Sequence, residues 1–274
     1  MSTRFGVLGA LACLPAFAQV ALSQDPSASQ APSAKIARRQ LGPIRNLRES
    51  TGGTAASDNW SGYAVLGSSF TSAKASWIVP SAVCKIGSGE EYSAFWVGLD
   101  GYSSGTVEQT GTLSDCLGPF PVYYAWYEFY PNPMYEVPVL IAPGNVMSAS
   151  VVYNGSEFTV TITNVSTGQS YTTSSTVAGA ARSSAEWITE APCCTSSGGI
   201  LPFSDFGTVD FGADYTSQTG TNSATDSTNS GTIGSFGSAN IEQITKVAST
   251  TSPQISTCSI LSSDGTSFTC TYAP

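Results

Sequence analysis

Hydrophobic residues beyond about residue 55 occur in short runs of roughly five to nine residues, rich in Val, Ile, Thr, Tyr, Phe and Trp. Gly, Pro, Asn or Ser bounds each run, which is the pattern of β-strands separated by turns. No window keeps a period of about 3.6 residues, so we predict only minor helix. The clearest predicted strands are 74–79, 92–99, 122–130, 148–153, 157–164, 185–190 and 268–272.

Strands at this close spacing over roughly 220 residues fit a single domain, which we place at 55–274. The predicted fold is all-β, an antiparallel β-sandwich or jelly roll. Tyr153-Asn154-Gly155-Ser156 predicts a tight hairpin, because Asn-Gly tolerates the positive φ angles of a type I′ turn. The Ser-, Thr-, Asn- and Gly-rich tract 216–235 predicts a long mobile loop within the same domain.

The alternation along a strand predicts which side chains share a face of the sheet. In 122–130 one face carries Tyr124, Trp126, Glu128 and Tyr130. In 185–190 one face carries Glu186, Ile188 and Glu190. A carboxyl group among aromatic side chains loses contact with water, which raises its pKa and makes it usable as an acid or base. These two strands therefore carry the first candidates for chemistry.

The N-terminal region has a different composition from the rest of the chain. Residues 1–18 combine Arg4, an apolar run and a small-x-small ending, which predicts a signal peptide and a secreted, extracellular product. Residues 19–54 are rich in Pro, Ser and Ala and contain five of the ten basic residues. We interpret 19–54 as a propeptide that lies on the acidic body, inhibits it and is released in acid. A disordered basic linker is the alternative.

Charge and composition exclude several partners and chemistries. The chain has no His, which excludes Ser-His-Asp and Cys-His nucleophile systems and His-bound zinc. Its net charge is −9, and beyond residue 50 four basic residues stand against 17 acidic ones. Nucleic acid and anionic membranes are therefore not expected as partners. With 11% charged and 41% hydrophobic residues, the composition suits a secreted β protein that works at low pH.

Six cysteines remain once the signal peptide is removed, and an even number in an exported chain predicts disulfides. Cys258 and Cys270 flank a turn signal, so we predict that pair, followed by Cys84 with Cys116. Cys193 and Cys194 are adjacent, and each is free to pair elsewhere or with the other. Metal binding is the competing interpretation, although no CxxC spacing supports it.

Carboxylates among aromatics on an all-β acidic protein are compatible with three functions. A glycosidase uses two carboxyls that flank the scissile bond. An acid peptidase uses carboxyls to activate water and an amide or hydroxyl to stabilise the oxyanion. A lectin stacks sugars on aromatic rings and needs no catalyst. Composition does not choose among them.

Five motifs, in a fixed order, are more specific than the composition. They are Asn59-Trp60-Ser61-Gly62-Tyr63-Ala64, Phe95-Trp96-Val97-Gly98-Leu99-Asp100-Gly101, Glu108-Gln109-Thr110-Gly111, Tyr123-Tyr124-Ala125-Trp126-Tyr127-Glu128 and Ala185-Glu186-Trp187-Ile188-Thr189-Glu190. This series resembles the eqolisins, the fungal acid glutamic peptidases, over essentially the whole body from Asn59 to the C-terminus.

The resemblance implies a curved, concanavalin-like antiparallel β-sandwich that hydrolyses proteins or peptides at low pH without a cofactor or metal. It implies a catalytic pair, Gln109 and Glu190. Glu190 takes a proton from water and returns one to the leaving amine, while the Gln109 amide orients the water and stabilises the oxyanion. It also places substrate-binding or supporting residues around the cleft: Trp60, Gly62, Trp96, Asp100, Gly111, Tyr124, Trp126 and Glu128.

Two positions depart from the family pattern: Leu113 replaces an acidic residue, and Ala191-Pro192-Cys193 follows Glu190 in place of Asp-Phe-Glu. These departures change the rim of the cleft and leave the pair intact. We expect a secreted acid endopeptidase that is made as a zymogen and acts as a monomer. The alternatives are a jelly-roll carbohydrate hydrolase that uses Glu128 and Glu190, and a lectin-like binding module without catalysis.

Three sequons predict glycosylation, at Asn59, Asn154 and Asn164. Asn154 and Asn164 lie at predicted turns and are the better candidates, because Asn59 lies inside a cleft motif.

Overall fold

A computed structural model describes residues 1–2, 35–36, 40–50, 53–193 and 198–274. The chain divides into two units, Met1–Ala31 and Pro32–Pro274. Only the two N-terminal residues of the first unit are described, so the predicted signal peptide lies almost wholly outside the described residues.

Twenty strands and two single helical turns make up the described secondary structure, because short β-branched and aromatic runs alternate with Gly and Pro turns. In chain order the elements are β1 (Lys35–Ile36), β2 (Arg48–Ser50), β3 (Thr54–Ser57), β4 (Trp60–Leu66), β5 (Ser72–Ile78), β6 (Glu90–Glu91), β7 (Ala94–Leu99), β8 (Val107–Leu117), β9 (Phe120–Tyr130), β10 (Tyr135–Val137), β11 (Val146–Tyr153), β12 (Phe158–Asn164), β13 (Gln169–Ser175), β14 (Ser184–Glu190), β15 (Thr208–Phe211), α1 (Ala213–Thr216), β16 (Ser223–Thr225), β17 (Ser230–Thr232), a 3-10 turn (Ile233–Phe236), β18 (Ile241–Lys246), β19 (Ile255–Cys258) and β20 (Phe268–Ala273).

The strands form a β-sandwich of two curved layers. Sheet 1 has the order β3, β18, β4, β14, β7, β8, β9, β10, and only its β3–β18 pair is parallel among the described pairs. Sheet 2 has the order β13, β12, β11, β5. Strands β16 and β15 pair with the other edge of β5, and β20 and β19 continue from β15. The predicted all-β antiparallel sandwich with minor helix is confirmed.

The central strands of sheet 1, which are β4, β14, β7 and β8, are buried on both faces. Phe95, Val97 and Leu99 of β7 face sheet 2 and join the main core. Ala94 and Trp96 alternate with them and join a second, smaller cluster on the opposite face. This second cluster contains Trp60, Trp126, Ile188 and also Leu41, which comes from the predicted propeptide. Since large aromatic side chains dominate burial energetics, the second cluster is a core in its own right.

All seven predicted strands occur in the structure with shifted ends. The prediction of a mobile loop at 216–235 is wrong, because β16 and β17 form a hairpin there that pairs with the edge of β5. The backbone of this tract therefore finds its hydrogen bonds inside the sheet even though its side chains are small and polar.

Both favoured disulfides are confirmed: Cys84 is bonded to Cys116, and Cys258 to Cys270. The second bridge joins directly paired residues of β19 and β20. Cys193 is also disulfide-bonded, to a partner outside the described residues.

Among the three sequons, only Asn154 is exposed. Asn164 does begin a turn, but it is buried and its Nδ2 donates to the carbonyl of Leu140 at 2.8 Å and to Oδ1 of Asn145 at 2.9 Å. Asn154 is thus the accessible candidate. In the part of the chain that is described, no helix has the length and apolar character needed to cross a membrane.

Candidate active site

Five neighbouring strands of sheet 1 bring the predicted site residues to one face. Residues paired directly across antiparallel strands lie on the same side of the sheet. One row of paired residues is Trp60 with Glu190. The next row is Gly62, Ile188, Trp96, Gly111 and Trp126, and Gln109 is paired with Glu128. The alternation predicted for β9 and β14 is therefore the observed one, and this face is the same one that carries the second core cluster.

Glu190 is fully buried at the end of β14, and each of its carboxyl oxygens accepts a hydrogen bond. Nδ2 of Asn59 donates to Oε1 at 3.1 Å, and Nε1 of Trp96 donates to Oε2 at 3.0 Å. Removal from water raises the pKa of Glu190 well above its ordinary value. The N–H groups of Asn59, Trp96 and Trp60 and the charge of Arg45 oppose this rise. The carboxyl group is thus held in one orientation by fixed donors.

Gln109 lies on β8 and is also fully buried. Its Nε2 donates to Oε2 of Glu128 on the adjacent strand at 2.9 Å. Oε1 of Gln109 and Oε1 of Glu128 are buried without a hydrogen-bond partner among the described residues. Because an amide has two donors and an acceptor, the contact with Glu128 fixes which end of the Gln109 amide points away from β9.

Glu128 and Glu190 influence each other's titration. The pKa of Glu128 is raised well above its ordinary value, first by burial and then by the negative charge of Glu190. The Gln109 amide and the backbone N–H of Leu41 act in the opposite direction. Two nearby buried carboxyls resist carrying two negative charges at once, so this pair favours one ionised and one protonated group.

The two predicted glycines of the site make room for neighbouring strands. A Cβ on Gly62 would lie 2.0 Å from the carbonyl oxygen of Trp187. A Cβ on Gly111 would lie 2.1 Å from the carbonyl oxygen of Phe95 and 2.6 Å from Cβ of Trp96. Both positions therefore exclude a side chain, and Gly111 lets Trp96 occupy the centre of the face.

Asp100 was predicted to support the pair, and its described hydrogen bonds go to the loop before β14. It follows β7 with a φ of 69° and accepts hydrogen bonds from the backbone N–H groups of Arg182 and Ser183 at 2.7 and 2.9 Å. Its role is to anchor the loop before β14. Tyr124 does lie on the site face by register, and its hydroxyl donates to Asp115 at 3.2 Å.

A stretch of the predicted propeptide crosses the site face, and we call residues 40–48 the cover segment. Gln40 exchanges two backbone hydrogen bonds with Cys193. Leu41 is 1% exposed and packs in the second core cluster. Arg48 forms an ion pair with Asp58 at 3.2 Å. The described part of the predicted propeptide is therefore ordered on the body, and Gln109, Glu128 and Glu190 are each 0% exposed beneath the site face.

Sequence reasoning placed Asn59 in the first motif and in a sequon but gave it no role in the site. Its position directly before Trp60 in the first motif is the signal that points to it, since the next residue is already in the site. The described residues contain no group of three or more Cys, Asp or Glu side chains arranged to hold a metal ion.

Comparison with known proteins adds to this geometry. A model of the Peptidase A4 family matches residues 58–272. The chain is 33% identical over 178 residues to aspergillopepsin-2 of Aspergillus niger, which covers 57% of this chain and 62% of that protein. It is 31% identical over 185 residues to scytalidopepsin B of Scytalidium lignicola, covering 63% and 67%. The match to aspergillopepsin-2 thus spans less than two thirds of that protein's length.

The structure is similar to that of scytalido-glutamic peptidase solved with a transition state analog inhibitor. The TM-score is 0.63 at 27% identity, over 79% of this chain and 98% of that one. The layered fold, with a buried Glu and Gln on one sheet face, defines a β-sandwich protein of the eqolisin type. The chain belongs to the Peptidase A4 family.

Proposed function

We propose that this protein is an acid endopeptidase of the glutamic type, which hydrolyses peptide bonds with Glu190 and Gln109. The observation that carries the proposal is the setting of Glu190, a buried carboxyl held by Asn59 and Trp96 on the sheet face that also carries Gln109. The family match and the inhibitor bound to the related scytalido-glutamic peptidase support it.

The reaction begins when the Glu190 carboxylate takes a proton from a water molecule. The water oxygen forms a bond to the scissile carbonyl carbon, and the carbonyl oxygen becomes an oxyanion. An N–H of Gln109 stabilises that oxyanion, and Oε1 of Gln109 orients the water. Protonated Glu190 then gives its proton to the amine as the C–N bond breaks, which regenerates the carboxylate. These steps require no cofactor.

Low pH suits this chemistry because Glu has an ordinary pKa of about 4.3 and serves as base and acid in turn near that value. Glu128 holds the Gln109 amide by the hydrogen bond at 2.9 Å. A protonated Glu128 keeps that contact without placing a second negative charge beside Glu190. The two carboxyls therefore have different tasks in the same small volume.

The cover segment acts as an inhibitor of its own enzyme. Leu41 fills apolar space among the site aromatics, and the backbone of residues 43–45 is bound beside Glu190. Burial raises the pKa of Glu190 in this covered state, which opposes the carboxylate that catalysis needs. The ion pair of Arg48 with Asp58, at 3.2 Å, also ties the segment to the body and has to break before the segment leaves.

The signal peptide predicted at residues 1–18 supports secretion of the zymogen, and removal of the cover segment in acid then yields the active, monomeric enzyme. Secretion fits an enzyme that works in an acidic medium outside the cell. The two described disulfides, Cys84–Cys116 and Cys258–Cys270, together with the disulfide-bonded Cys193, suit an oxidising compartment.

Digestion of a denatured protein against pH tests the proposal. Full-length wild type, Glu190→Gln and Gln109→Ala are secreted, incubated in acid and assayed with pepstatin present, to exclude aspartic peptidases. Wild type should cleave near pH 3–4 and both variants should be inactive. Glu157→Gln, the same chemical change on a surface hairpin, is the control and should cleave like wild type. Sugar release from β-glucans that survives Gln109→Ala would instead indicate the carbohydrate hydrolase, and folded protein without either activity the binding module.

A further inference from the structure

Asn59 has a position that neither the family match nor the catalytic pair explains. Both the N–H donor and the oxygen acceptor of its side-chain amide bind the backbone of the cover segment. Nδ2 donates to the carbonyl oxygen of Pro43 at 3.4 Å, and Oδ1 accepts from the backbone N–H of Arg45 at 2.7 Å. The same Nδ2 donates to Oε1 of Glu190 at 3.1 Å. One carboxamide thus joins a peptide backbone to the candidate catalytic carboxyl.

The two backbone groups that Asn59 binds are those that a neighbouring strand would bind. In extended chain, the C=O before a residue and the N–H after it point to the same side. Here they flank Ile44, whose own N–H points elsewhere and donates to the carbonyl of Gly101 at 3.1 Å. Residues 43–45 form no regular strand and Pro43 lies at a bend, but Asn59 binds the C=O and N–H on either side of Ile44 as a short piece of β-strand would.

The neighbours of Asn59 complete the peptide-binding edge. The carbonyl oxygen of Arg45 accepts from the backbone N–H of Asp58 at 3.0 Å and from Oγ of Ser57 at 3.1 Å. Oγ of Ser57 also lies 2.9 Å from Oδ1 of Asn59. Asn59 is 1% exposed, and its own backbone carbonyl is held by the N–H of Ala191, directly after Glu190. The clamp is therefore rigid and fixed to the strand end that carries Glu190.

We propose that Asn59 is a positioning residue that binds the backbone of the substrate and couples that binding to the orientation of Glu190. This inference rests on the proposed peptidase function. The cover segment lies where the substrate would bind, and residues 43–45 occupy the position of the substrate residues next to the scissile bond. Recognition through C=O and N–H groups alone makes the contact independent of the substrate's sequence, which suits a digestive endopeptidase.

The clamp also acts on the proton equilibrium of Glu190. The Asn59 donor stabilises the charged form and lowers the pKa against the effect of burial. The other groups that influence this carboxyl are the indoles of Trp96 and Trp60, the charge of Arg45 in the covered state, and Glu128. Once the cover segment leaves, Arg45 leaves with it, and Asn59 remains as a fixed donor on Oε1.

Kinetics of acid-activated full-length protein test the clamp. Asn59→Ala should raise KM about tenfold or more, because two hydrogen bonds to the substrate are lost. It should also move the acid limb of kcat/KM to higher pH, since Glu190 loses a donor to its charged form. Asn59→Asp, which keeps only an acceptor, should move the limb in the same direction.

Ser61→Ala is the control, because its buried Oγ contacts Ser256 and Thr189 and neither the cover segment nor Glu190. An unmoved limb with an unchanged KM in Asn59→Ala overturns the proposal.

A second measurement uses the wild-type protein and does not depend on how the variants fold. The nonapeptide QLGPIRNLR, which has the sequence of residues 40–48, is tested as an inhibitor of the activated enzyme. N-methylation at Arg45 removes the N–H that Asn59 accepts and should weaken inhibition about tenfold or more. N-methylation at Leu47 is the control, since its N–H makes no hydrogen bond within the described part of the chain. Equal inhibition by the two methylated peptides, or none by the unmodified one, contradicts the clamp. Absence of wild-type proteolysis would instead contradict the proposed function itself.

Discussion

Gln109 and Glu128 lie opposite each other on adjacent strands, and the Gln109 amide donates to the Glu128 carboxyl at 2.9 Å. The contact orients an amide that does not titrate, and it does so with an acid whose pKa is raised by burial. Either form of Glu128 accepts the hydrogen bond. Under the proposed function, Glu128 therefore holds Gln109, and Glu190 alone exchanges protons with the substrate and water.

This division of tasks predicts different results for two Glu128 variants. Glu128→Gln keeps an acceptor for the Gln109 amide, so activity should stay within about tenfold of wild type. Glu128→Leu removes the acceptor and frees the amide, and kcat should fall roughly 100-fold. Steady-state cleavage of a fluorogenic peptide in acid measures both. A Glu128→Gln variant as inactive as Glu190→Gln would mean that both carboxyls act in catalysis, as in a glycosidase.

Stability should fall as pH rises, because several buried acids have raised pKa values. Burial, followed by the charge of Asp100, raises the pKa of Glu108 to about 8, and burial raises that of Glu186 well above its ordinary value. A raised folded-state pKa gives stability that is complete below the unfolded pKa, near 4.5, and lost as pH rises toward 8. At about 1.4 kcal/mol for each pKa unit, the loss by pH 7 is several kcal/mol.

Glu108→Gln should therefore be more stable than wild type at pH 7 by about 2–4 kcal/mol and nearly equal to it at pH 3. Urea unfolding at a series of pH values measures this difference. Glu157→Gln, on the surface hairpin, should follow the wild-type curve. Parallel curves for Glu108→Gln and wild type would show that Glu108 is not kept protonated by the fold.

The buried Leu41 side chain should contribute strongly to the binding of the cover segment to the body. This side chain is 1% exposed in the second core cluster, and truncation of such a residue to Ala costs about 2–5 kcal/mol. Leu41→Ala should therefore activate at least ~30-fold faster at a given pH, or begin at a higher pH. Leu140→Ala, at a residue that is 74% exposed, is the control. Gel electrophoresis and substrate cleavage measure the rate of activation. Equal activation rates for Leu41→Ala and Leu140→Ala would contradict this prediction.

Replacement of Gly111 by a larger residue should have a purely steric effect in the centre of the site. A Cβ there would meet the carbonyl of Phe95 at 2.1 Å, so Gly111→Ala should lower stability by roughly 1–3 kcal/mol or prevent folding. Gly89→Ala meets nothing within 4 Å and should be nearly neutral. The urea midpoints at pH 4 compare the two directly. A Gly111→Ala midpoint equal to that of Gly89→Ala would mean that the strands separate more easily than this packing implies.

Much of the site follows from period-2 alternation in strands with strong aromatic and β-branched content. Tyr124, Trp126 and Glu128 were expected on one face, and the register of β9 against β8 puts them there. The same reasoning places Glu190 on its face of β14. Alternation is reliable here because a shift of one residue in register would move every side chain of a strand to the other face of the sheet.

Strand β8 shows where sequence patterns fail. Ten of its 11 residues are buried, although Glu108, Gln109, Ser114 and Asp115 are polar. A central strand covered on both faces has no polar side to alternate with, and these polar residues are buried because neighbouring strands and site residues surround them. The propeptide was predicted to lie on the body, but the burial of Leu41 was not predicted, because Leu41 gains its partners only from distant strands.

The central claim is that Glu190 is the base and acid of an acid peptidase. The most direct test is the rate of cleavage of a denatured protein near pH 3–4 by Glu190→Gln, with circular dichroism confirming that the variant is folded. We expect a loss of at least about 1,000-fold relative to wild type, with Glu157→Gln unchanged. Cleavage by folded Glu190→Gln at near the wild-type rate would contradict the account.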